Sequence, residues 1–198
     1  MNIAILGGSF DPPHRGHVII AKRLLKLTNF DEVWLMPLFS HPFNKNLSHP
    51  SKRLEMIMFL ESGNVKVSDI EIRKKTISYT IDTLRFLSKN NPRNTFSWVI
   101  GTDQIEDFTR WKNWKEIINN FKLIIVPRVG FKKAEKELKN IAKQVIANKN
   151  IILLNRKKFP PIYISSTLTR RKIKEGKSLK FMLPKKVEEY IIRNKLYR

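Results

Sequence analysis

Short apolar runs alternate with helical patterns along the whole chain. The runs that predict buried strands are Ile3–Leu6, Val33–Met36, Phe96–Ile100, Leu123–Val126 and Ile151–Leu154, with a shorter strand at Tyr163–Ile164. Apolar residues recur at the spacing of an amphipathic helix in His17–Leu27, Ser51–Leu60 and Ala134–Ile146. Alternation of this kind is typical of an α/β fold with a mostly parallel sheet flanked by helices.

Capping and turn residues predict where the remaining elements begin and end. Further helices are predicted from Ser78 to about Leu87, from Ser165 or Ser166 to Gly176, and from Pro184 through Ile192. The segment Val65–Ile72 alternates like an exposed strand. The sequence contains no internal repeat, low-complexity segment or evident linker. We therefore expect one domain over residues 1–198, with its C-terminal helices within 166–198.

Composition narrows the class of protein. The 198 residues include no cysteine, which excludes disulfide scaffolds, thiolate metal sites and cysteine nucleophiles. No apolar run approaches the roughly 18 residues that a membrane span needs. The first residues, Met1–Leu6, lack the basic segment and long apolar core of a signal peptide. We expect a soluble cytoplasmic protein with no membrane partner.

The net charge of +22 is unevenly distributed. It is +5 over Met1–Phe121 and +17 over Lys122–Arg198. Such an asymmetry raises nucleic acid or an anionic surface as a partner. The basic residues are nevertheless scattered as singles, pairs and short triplets such as Arg73–Lys75, without a long basic tail. We favour a lysine-rich solvated surface that helps to attract anionic substrates.

The segment Gly7–His17, between the first strand and the first helix, has the composition of a phosphate site. Gly7 and Gly8 allow close approach of the backbone to a ligand. His14 and His17 are three residues apart where the helix opens, so both rings can face one spot, and Gly16 leaves it uncrowded. With the helix N-terminus they can bind phosphate. A metal site on the two histidines would lack an evident third ligand.

A second strand-to-helix junction occurs at Ile164–Arg170, which reads Ile-Ser-Ser-Thr-Leu-Thr-Arg. Its hydroxyls and the first-turn N–H groups can hold phosphate oxygens, and Arg170 can add a charged donor. A simple N-cap explains this segment equally well when it is taken alone. Two phosphate-binding helix starts in one chain suit a nucleoside triphosphate.

These two loops resemble the nucleotidyltransferase superfamily of adenylyl- and cytidylyltransferases, with its His-x-Gly-His and Ser-Ser-Thr-x-x-Arg motifs. The longer phrase from Gly7 to His17 resembles the bacterial nicotinate mononucleotide adenylyltransferases in particular. Further matches in the same order are Val33–Pro37, Ser78–Leu84, Ile100-Gly101-x-Asp103, Trp111, Arg128-x-Gly130-Phe131 and Leu183-Pro184. The resemblance covers nearly the whole chain and implies a Rossmann-like nucleotidyltransferase fold.

The resemblance also implies a reaction. In that family the 5′-phosphate of nicotinate mononucleotide attacks the α-phosphorus of ATP in line, and deamido-NAD and pyrophosphate leave, with Mg²⁺ on the phosphates. By resemblance the catalytic residues are His14, His17 and Arg170, and the ATP-binding residues are Gly7, Gly8, Ser9, Phe10, Gly16, Lys45, Ile164, Ser165, Ser166 and Thr167. Asp11 is expected to brace the loop.

The resemblance assigns the mononucleotide site to Thr80, Asp103, Trp111 and Lys112. Trp111 lies in a polar stretch, which favours exposure, and offers a flat face to the pyridine ring. Asp103 can accept hydrogen bonds from ribose hydroxyls, and it can also serve as a helix N-cap. Thr80 and the backbone of Lys112 match positions that bind the nicotinate carboxylate through main-chain N–H groups.

The chain departs from the family pattern in two places. After Pro37 it reads Leu-Phe-Ser-His-Pro-Phe-Asn-Lys, where the family has a Pro-Pro-His-Lys run, so His41 is a candidate for the missing histidine. Lys112 follows Trp111 where an aromatic is usual. An adenylyltransferase that uses the amide mononucleotide or phosphopantetheine therefore stays an alternative. So does a nucleic-acid-binding protein on this fold, which we do not favour; no feature indicates an oligomeric state.

Overall fold

The computed structural model describes residues 1–43, 46–128 and 149–198. Within these residues six strands form one parallel sheet in the order β3-β2-β1-β4-β5-β6. The strands are β1 (Asn2–Gly8), β2 (Glu32–Pro37), β3 (Val65–Val67), β4 (Thr95–Gly101), β5 (Lys122–Val126) and β6 (Ile151–Leu153). The parallel register, for example Ile3 opposite both Glu32 and Phe96, confirms the predicted α/β class.

Helices connect the strands and cover the sheet. They are α1 (Arg15–Leu27), α2 (Pro50–Met58), α3 (Ile70–Lys74), α4 (Thr80–Asn90), α5 (Ile105–Phe108), α6 (Trp114–Asn120), α7 (Ser166–Lys174) and α8 (Lys185–Arg193), with a 3₁₀ turn at Thr102–Gln104. The predicted helix Ala134–Ile146 lies outside the described residues. None of the helices in the described ranges is long and apolar enough to cross a bilayer.

The sheet divides the core into two apolar clusters. Alternate residues of β1 point to opposite faces, because side chains of a strand alternate. Ala4 and Leu6 pack in the cluster that includes α1, α2 and α8, whereas Ile3 and Ile5 pack in the cluster that includes α4, α5 and α6. Both faces of the central strand are therefore buried, which is why its sequence is a continuous apolar run.

Three sequence predictions of local structure were wrong. Val65–Ile72 is a strand only to Val67, and α3 begins after the N-cap residue Asp69, whose carbonyl accepts from Arg73. Ser78 does not cap α4, because the N-cap is Tyr79 and the Ser78 hydroxyl instead accepts from the Phe39 N–H at 3.1 Å.

The third concerns the segment before α7. No strand forms at Tyr163–Ile164; the described chain has there only an isolated parallel bridge between Arg128 and Ile162. Tyr163 is strongly exposed. A run of two apolar residues is too short to distinguish a strand from an extended loop.

The order of the strands sets the place of a ligand site. The chain runs outward from β1 through β2 to β3, and then returns to the other side of β1 to form β4. The loops that leave β1 and β4 therefore diverge to opposite faces of the sheet. In open parallel sheets ligands bind in the crevice at this reversal, beyond the carboxyl ends of the strands.

Candidate active site

A cavity of about 930 Å³ opens at the carboxyl ends of β1 and β4. This volume is at the upper end of the roughly 300–1,000 Å³ of small-molecule sites. The predicted residues that line it are Gly7, Gly8, Ser9, Phe10, His17, Thr80, Asp103, Trp111, Lys112, Ser166, Thr167 and Arg170. Residues from both predicted phosphate segments and from the predicted mononucleotide site thus share one cavity.

Four predicted residues are absent from this lining, and one cannot be placed. They are His14, which is 2% exposed, and Gly16, Ile164 and Ser165. Lys45 lies outside the described residues, as do Gly130 and Phe131 of the family pattern. His41 does line the cavity, and its Nδ1 accepts from the Phe43 N–H at 3.1 Å.

Gly7 makes room for a side chain of the protein. A Cβ atom at this position would lie 2.3 Å from Cζ2 of Trp98, a buried ring of β4. The sequence interpretation assigned Gly7 to close approach of a ligand; in the structure Gly7 lines the cavity, and its lack of a Cβ atom also makes room for Trp98. The glycine allows the Trp98 ring to cross the end of β1, and that ring also lines the cavity.

His14 and His17 form a stacked pair at the start of α1. Their ring centroids are 3.7 Å apart and the rings are inclined by 20°. The Nδ1 atom of His17 accepts a hydrogen bond from the His14 backbone N–H at 3.1 Å. Because Nδ1 is an acceptor, a neutral His17 carries its proton on Nε2. His17 can therefore donate from Nε2 to a ligand in the cavity.

Burial keeps both imidazoles neutral. It lowers the pKa of His14 to about 3, with a further contribution from the positive charge of Arg128. Burial likewise holds the pKa of His17 well below its usual value, with smaller contributions from His14 and Arg128. The Nδ1 atom of His14 is buried and has no hydrogen-bond partner among the described residues. Buried polar atoms without a partner are uncommon in native proteins, and a catalytic role is one of the explanations for them.

The start of α7 packs against the segment Gly7–His17. The Ser165 hydroxyl accepts from the Leu168 N–H at 3.1 Å, so this residue is the N-cap, which was one of the two readings of the sequence. Ser166 donates to the Pro12 carbonyl at 2.8 Å. Arg170 donates to the Asp11 carbonyl at 2.5 Å. The bonds of Ser166 and Arg170 join α7 to the loop between β1 and α1.

The predicted mononucleotide residues also line the cavity. Trp111 is half-buried: its ring lies 5.4 Å from that of Phe108 and also lines the cavity. Asp103 is half-exposed and its Oδ1 lies 3.7 Å from Nε of Arg128. It is not an N-cap, since Gly101 caps the 3₁₀ turn. Lys112 pairs through Nζ with Asp82 of α4 at 2.8 Å.

The sequence prediction missed two charged residues that shape the site. Arg53 of α2 is fully buried and donates to the carbonyls of Ser9, Leu38, Phe39 and Ser48 at 2.7–2.9 Å. It fixes the loops after β1 and β2 to each other. Arg128 lines the cavity and donates to the Ile164 carbonyl at 3.3 Å. Arg128 could have been found, because it begins one of the matching family phrases.

Glu71 is a third residue that sequence reasoning missed. It is buried in the cavity wall, and its Oε1 accepts from the Thr83 hydroxyl of α4 at 2.7 Å. Burial raises the pKa of this carboxyl, which hydrogen bonds to Thr83 and Ser78 partly oppose. Glu71 thereby ties α3 to the first turns of α4. An acidic residue in an alternating stretch gave no signal of this burial.

A sheet of this order, with a cavity at its reversal point and phosphate-type donors on two helix starts, defines a nucleotide-binding α/β protein.

The family model described as cytidylyltransferase-like matches residues 5–172. Two full-length relatives are named probable nicotinate-nucleotide adenylyltransferase. The Cytophaga hutchinsonii protein is 35% identical, covering 100% of this chain and 98% of the relative. The Flavobacterium johnsoniae protein is 32% identical, covering 100% of each.

A solved structure has the same fold. It is the Plasmodium falciparum nicotinic acid mononucleotide adenylyltransferase complexed with NaAD, which superposes with a TM-score of 0.81 at 25% identity and covers 99% of this chain and 97% of that one. The chain belongs to the cytidylyltransferase-like family and, within it, to the nicotinate-nucleotide adenylyltransferases.

Proposed function

We propose that the protein transfers the adenylyl group of ATP to nicotinate mononucleotide, with deamido-NAD and pyrophosphate as products. The observation that carries the proposal is the single cavity of about 930 Å³. Its lining includes His17, Thr167 and Arg170, which suit a triphosphate. It also includes Thr80 and Trp111, which suit a pyridine carboxylate and its ring. The names of the full-length relatives and of the P. falciparum enzyme support the same reaction.

The proposed step is a direct in-line displacement. An oxygen of the mononucleotide 5′-phosphate forms a bond to the α-phosphorus of ATP, and the bond from that phosphorus to the bridging oxygen of pyrophosphate breaks. The attacking phosphate is already ionised at neutral pH, so no general base is needed. Catalysis then rests on positioning the two phosphates and on neutralising the charge that develops.

The residues proposed for the triphosphate have groups suited to this task. His17 would donate from Nε2 to an oxygen of the triphosphate, and a neutral donor fixed by the His14 backbone costs no reorganisation. Arg170 would add a permanent positive charge from α7. Arg128, beside the two imidazoles, would add another, although the sequence did not single it out as a ligand.

The residues proposed for the mononucleotide would provide specificity. We expect the pyridine ring to stack on Trp111 and the ribose hydroxyls to donate to Asp103. The nicotinate carboxylate would accept from the main-chain N–H groups of Thr80 and Lys112. Donors that lose their acceptor when the amide form binds would penalise that substrate.

Mg²⁺ is expected to enter with ATP, bound to its phosphates. Within the described ranges no group of three or more histidine or acidic side chains could hold a metal ion. The cavity residues around the phosphates are mainly neutral or cationic, which fits a metal that arrives on its anionic substrate. The reaction uses ATP and nicotinate mononucleotide, and we expect it to take place in the cytoplasm.

The test is Mg²⁺-dependent release of pyrophosphate from ATP, with nicotinate mononucleotide, nicotinamide mononucleotide and phosphopantetheine as parallel acceptors. Release with the nicotinate form, well above the other two, is the expected result. Release with only another acceptor would retain adenylyl transfer and overturn the substrate. No release with any of the three would contradict the proposed reaction.

A further inference from the structure

The loop between β1 and α1 is held from one side by the last third of the chain. Five hydrogen bonds make this connection: Arg170 to the Asp11 carbonyl at 2.5 Å, Ser166 to the Pro12 carbonyl at 2.8 Å, the Arg15 N–H to the Met182 carbonyl at 2.8 Å, Arg15 Nε to the Leu183 carbonyl at 3.0 Å, and the Tyr197 hydroxyl to Asp11 Oδ1 at 2.5 Å. Two of the five bonds use a side chain of this segment: Arg15 donates from Nε, and Asp11 accepts from Tyr197 at Oδ1.

Tyr197 reaches the loop because the chain turns back after α8. Lys195 and Tyr197 have φ angles of 51° and 63°, in the left-handed region that non-glycine residues seldom adopt. The Leu196 N–H donates to the Ile191 carbonyl at 3.1 Å, which closes the turn against the helix. Such backbone conformations persist only where surrounding contacts hold them. The hydrogen bond to Asp11 is one of those contacts.

Asp11 is the point where four parts of the site meet. It is 3% exposed, and both its carboxylate oxygens accept: Oδ1 from Tyr197 and Oδ2 from the Ser48 N–H at 3.1 Å. Its own carbonyl accepts from Arg170. The neighbouring Ser9 carbonyl accepts from the buried Arg53. A shift of Asp11 would therefore move the loop between β1 and α1 and Arg170 together.

We infer that Tyr197 is a positioning residue for the triphosphate: it holds Asp11 so that His17 and Arg170 face the same phosphates. This inference rests on the proposed function. Without the phenol hydroxyl, a buried carboxylate oxygen loses its donor. Arg170, which already bonds the Asp11 backbone, can turn to that oxygen and away from the ligand. Burial and the Asp11 charge raise the pKa of Tyr197, so the phenol stays a donor at neutral pH.

The chain offers a matched control in Tyr190. Its hydroxyl donates to Glu55 Oε2 at 2.8 Å, so it also ties the last third of the chain to an acidic side chain. Glu55 belongs to α2 and does not line the cavity. Tyr190→Phe and Tyr197→Phe each remove one phenol hydroxyl and keep the ring. In Tyr197→Phe the carboxylate that loses its donor is Asp11, in the loop between β1 and α1. In Tyr190→Phe it is Glu55, outside that loop.

The experiment compares kcat, the KM of each substrate, the calorimetric affinity for ATP and AMP, and the thermal unfolding midpoint. We expect Tyr197→Phe to lower kcat/KM for ATP about 10- to 100-fold, the cost of a misplaced catalytic group. ATP affinity should fall, while AMP affinity and the KM of the mononucleotide stay at the wild-type value. Tyr190→Phe should lower the unfolding midpoint and change none of these constants.

A second variant, Asp11→Asn, replaces one acceptor by a donor facing either Tyr197 or Ser48 and should reproduce the loss of ATP affinity. Equal ATP affinity in Tyr197→Phe and Tyr190→Phe would overturn the positioning role. Activity losses in both tyrosine variants that follow only their unfolding midpoints would overturn it as well. If the wild-type protein releases no pyrophosphate, the proposed reaction fails, and the ATP and AMP titrations still decide the role of Tyr197.

Discussion

A methyl group at Gly16 would collide with the ring of His14, one member of the stacked histidine pair. A Cβ atom built there lies 2.8 Å from Nδ1 and 2.9 Å from Cε1 of His14, and 3.0 Å from Cγ2 of Ile162. The sequence analysis expected the glycine to keep the space between the two histidines uncrowded. The structure shows which contact a larger residue would make there, namely with the His14 ring. Gly16→Ala is the smallest perturbation that uses this contact, because it adds one methyl group to the first turn of α1.

The expected effects on stability and on activity differ in size. Since carbon atoms pack at about 3.5–4.0 Å, the His14 ring must move by roughly 0.6 Å or more. Overpacking of this kind costs about 1–3 kcal/mol. The higher helix propensity of alanine offsets up to about 1 kcal/mol of it. We therefore expect a loss of about 0–3 kcal/mol in the free energy of unfolding. Displacing the stacked rings should lower kcat about 10- to 100-fold.

Urea denaturation and pyrophosphate release at saturating ATP and nicotinate mononucleotide measure the two effects. The control is a double-mutant cycle with His14→Ala, which removes the ring that the new methyl group meets. Gly16→Ala should destabilise the His14→Ala background less than it destabilises the wild type. Wild-type turnover in Gly16→Ala would refute the reasoning, and so would additive stability losses in the cycle.

Three further predictions concern the residues of the cavity. His17→Ala should lower kcat about 100- to 1,000-fold, since it removes a preorganised donor to the transition state; near-normal turnover in a variant with wild-type circular dichroism would contradict this. Trp111→Ala should weaken calorimetric binding of nicotinate mononucleotide about 3- to 10-fold through lost stacking, with ATP binding almost unchanged; equal losses for both would rule out the stacking role. The third prediction concerns pH. His14 has a pKa of about 3 in the folded chain and an ordinary value of 6.5 when unfolded, so below pH 6.5 the unfolded state binds more protons and stability falls towards pH 3. The urea midpoint should drop less between pH 7.5 and pH 5 in His14→Ala than in the wild type, and equal drops would count against a neutral buried imidazole.

The sequence predicted most elements of the sheet because its central strands are predominantly apolar runs. Phe96–Ile100 and Leu123–Val126 fall inside β4 and β5. The prediction failed in a short segment whose hydrophobic pattern fits both a strand and a helix. In Val65–Ile72 only Val65–Val67 form a strand, and α3 begins at Ile70. In the site, the histidines and the Ser-Ser-Thr run were visible because they sit on strand-to-helix loops, where ligands bind in parallel sheets.

The supporting residues could not be predicted for a different reason. An arginine within an amphipathic pattern, such as Arg53, is typical of a solvated helix face, and only the tertiary structure brings four carbonyl groups around it. The partners Asp11 and Tyr197 are separated by 186 residues. Contacts over such a separation leave no local periodicity. Their discovery depends on knowing how the loops close over the sheet.

The position of β1 has a consequence for synthesis of the chain on the ribosome. This strand is flanked by β2 on one side and by β4 on the other, and Ile3 pairs with Phe96. At about 5–20 residues per second, the roughly 90 intervening residues take on the order of 5–20 s to translate. During that time one edge of an apolar strand has no partner, which is a hazard for aggregation. The edge of β1 that pairs with β4 in the folded chain therefore stays open to other strands until β4 has been synthesised.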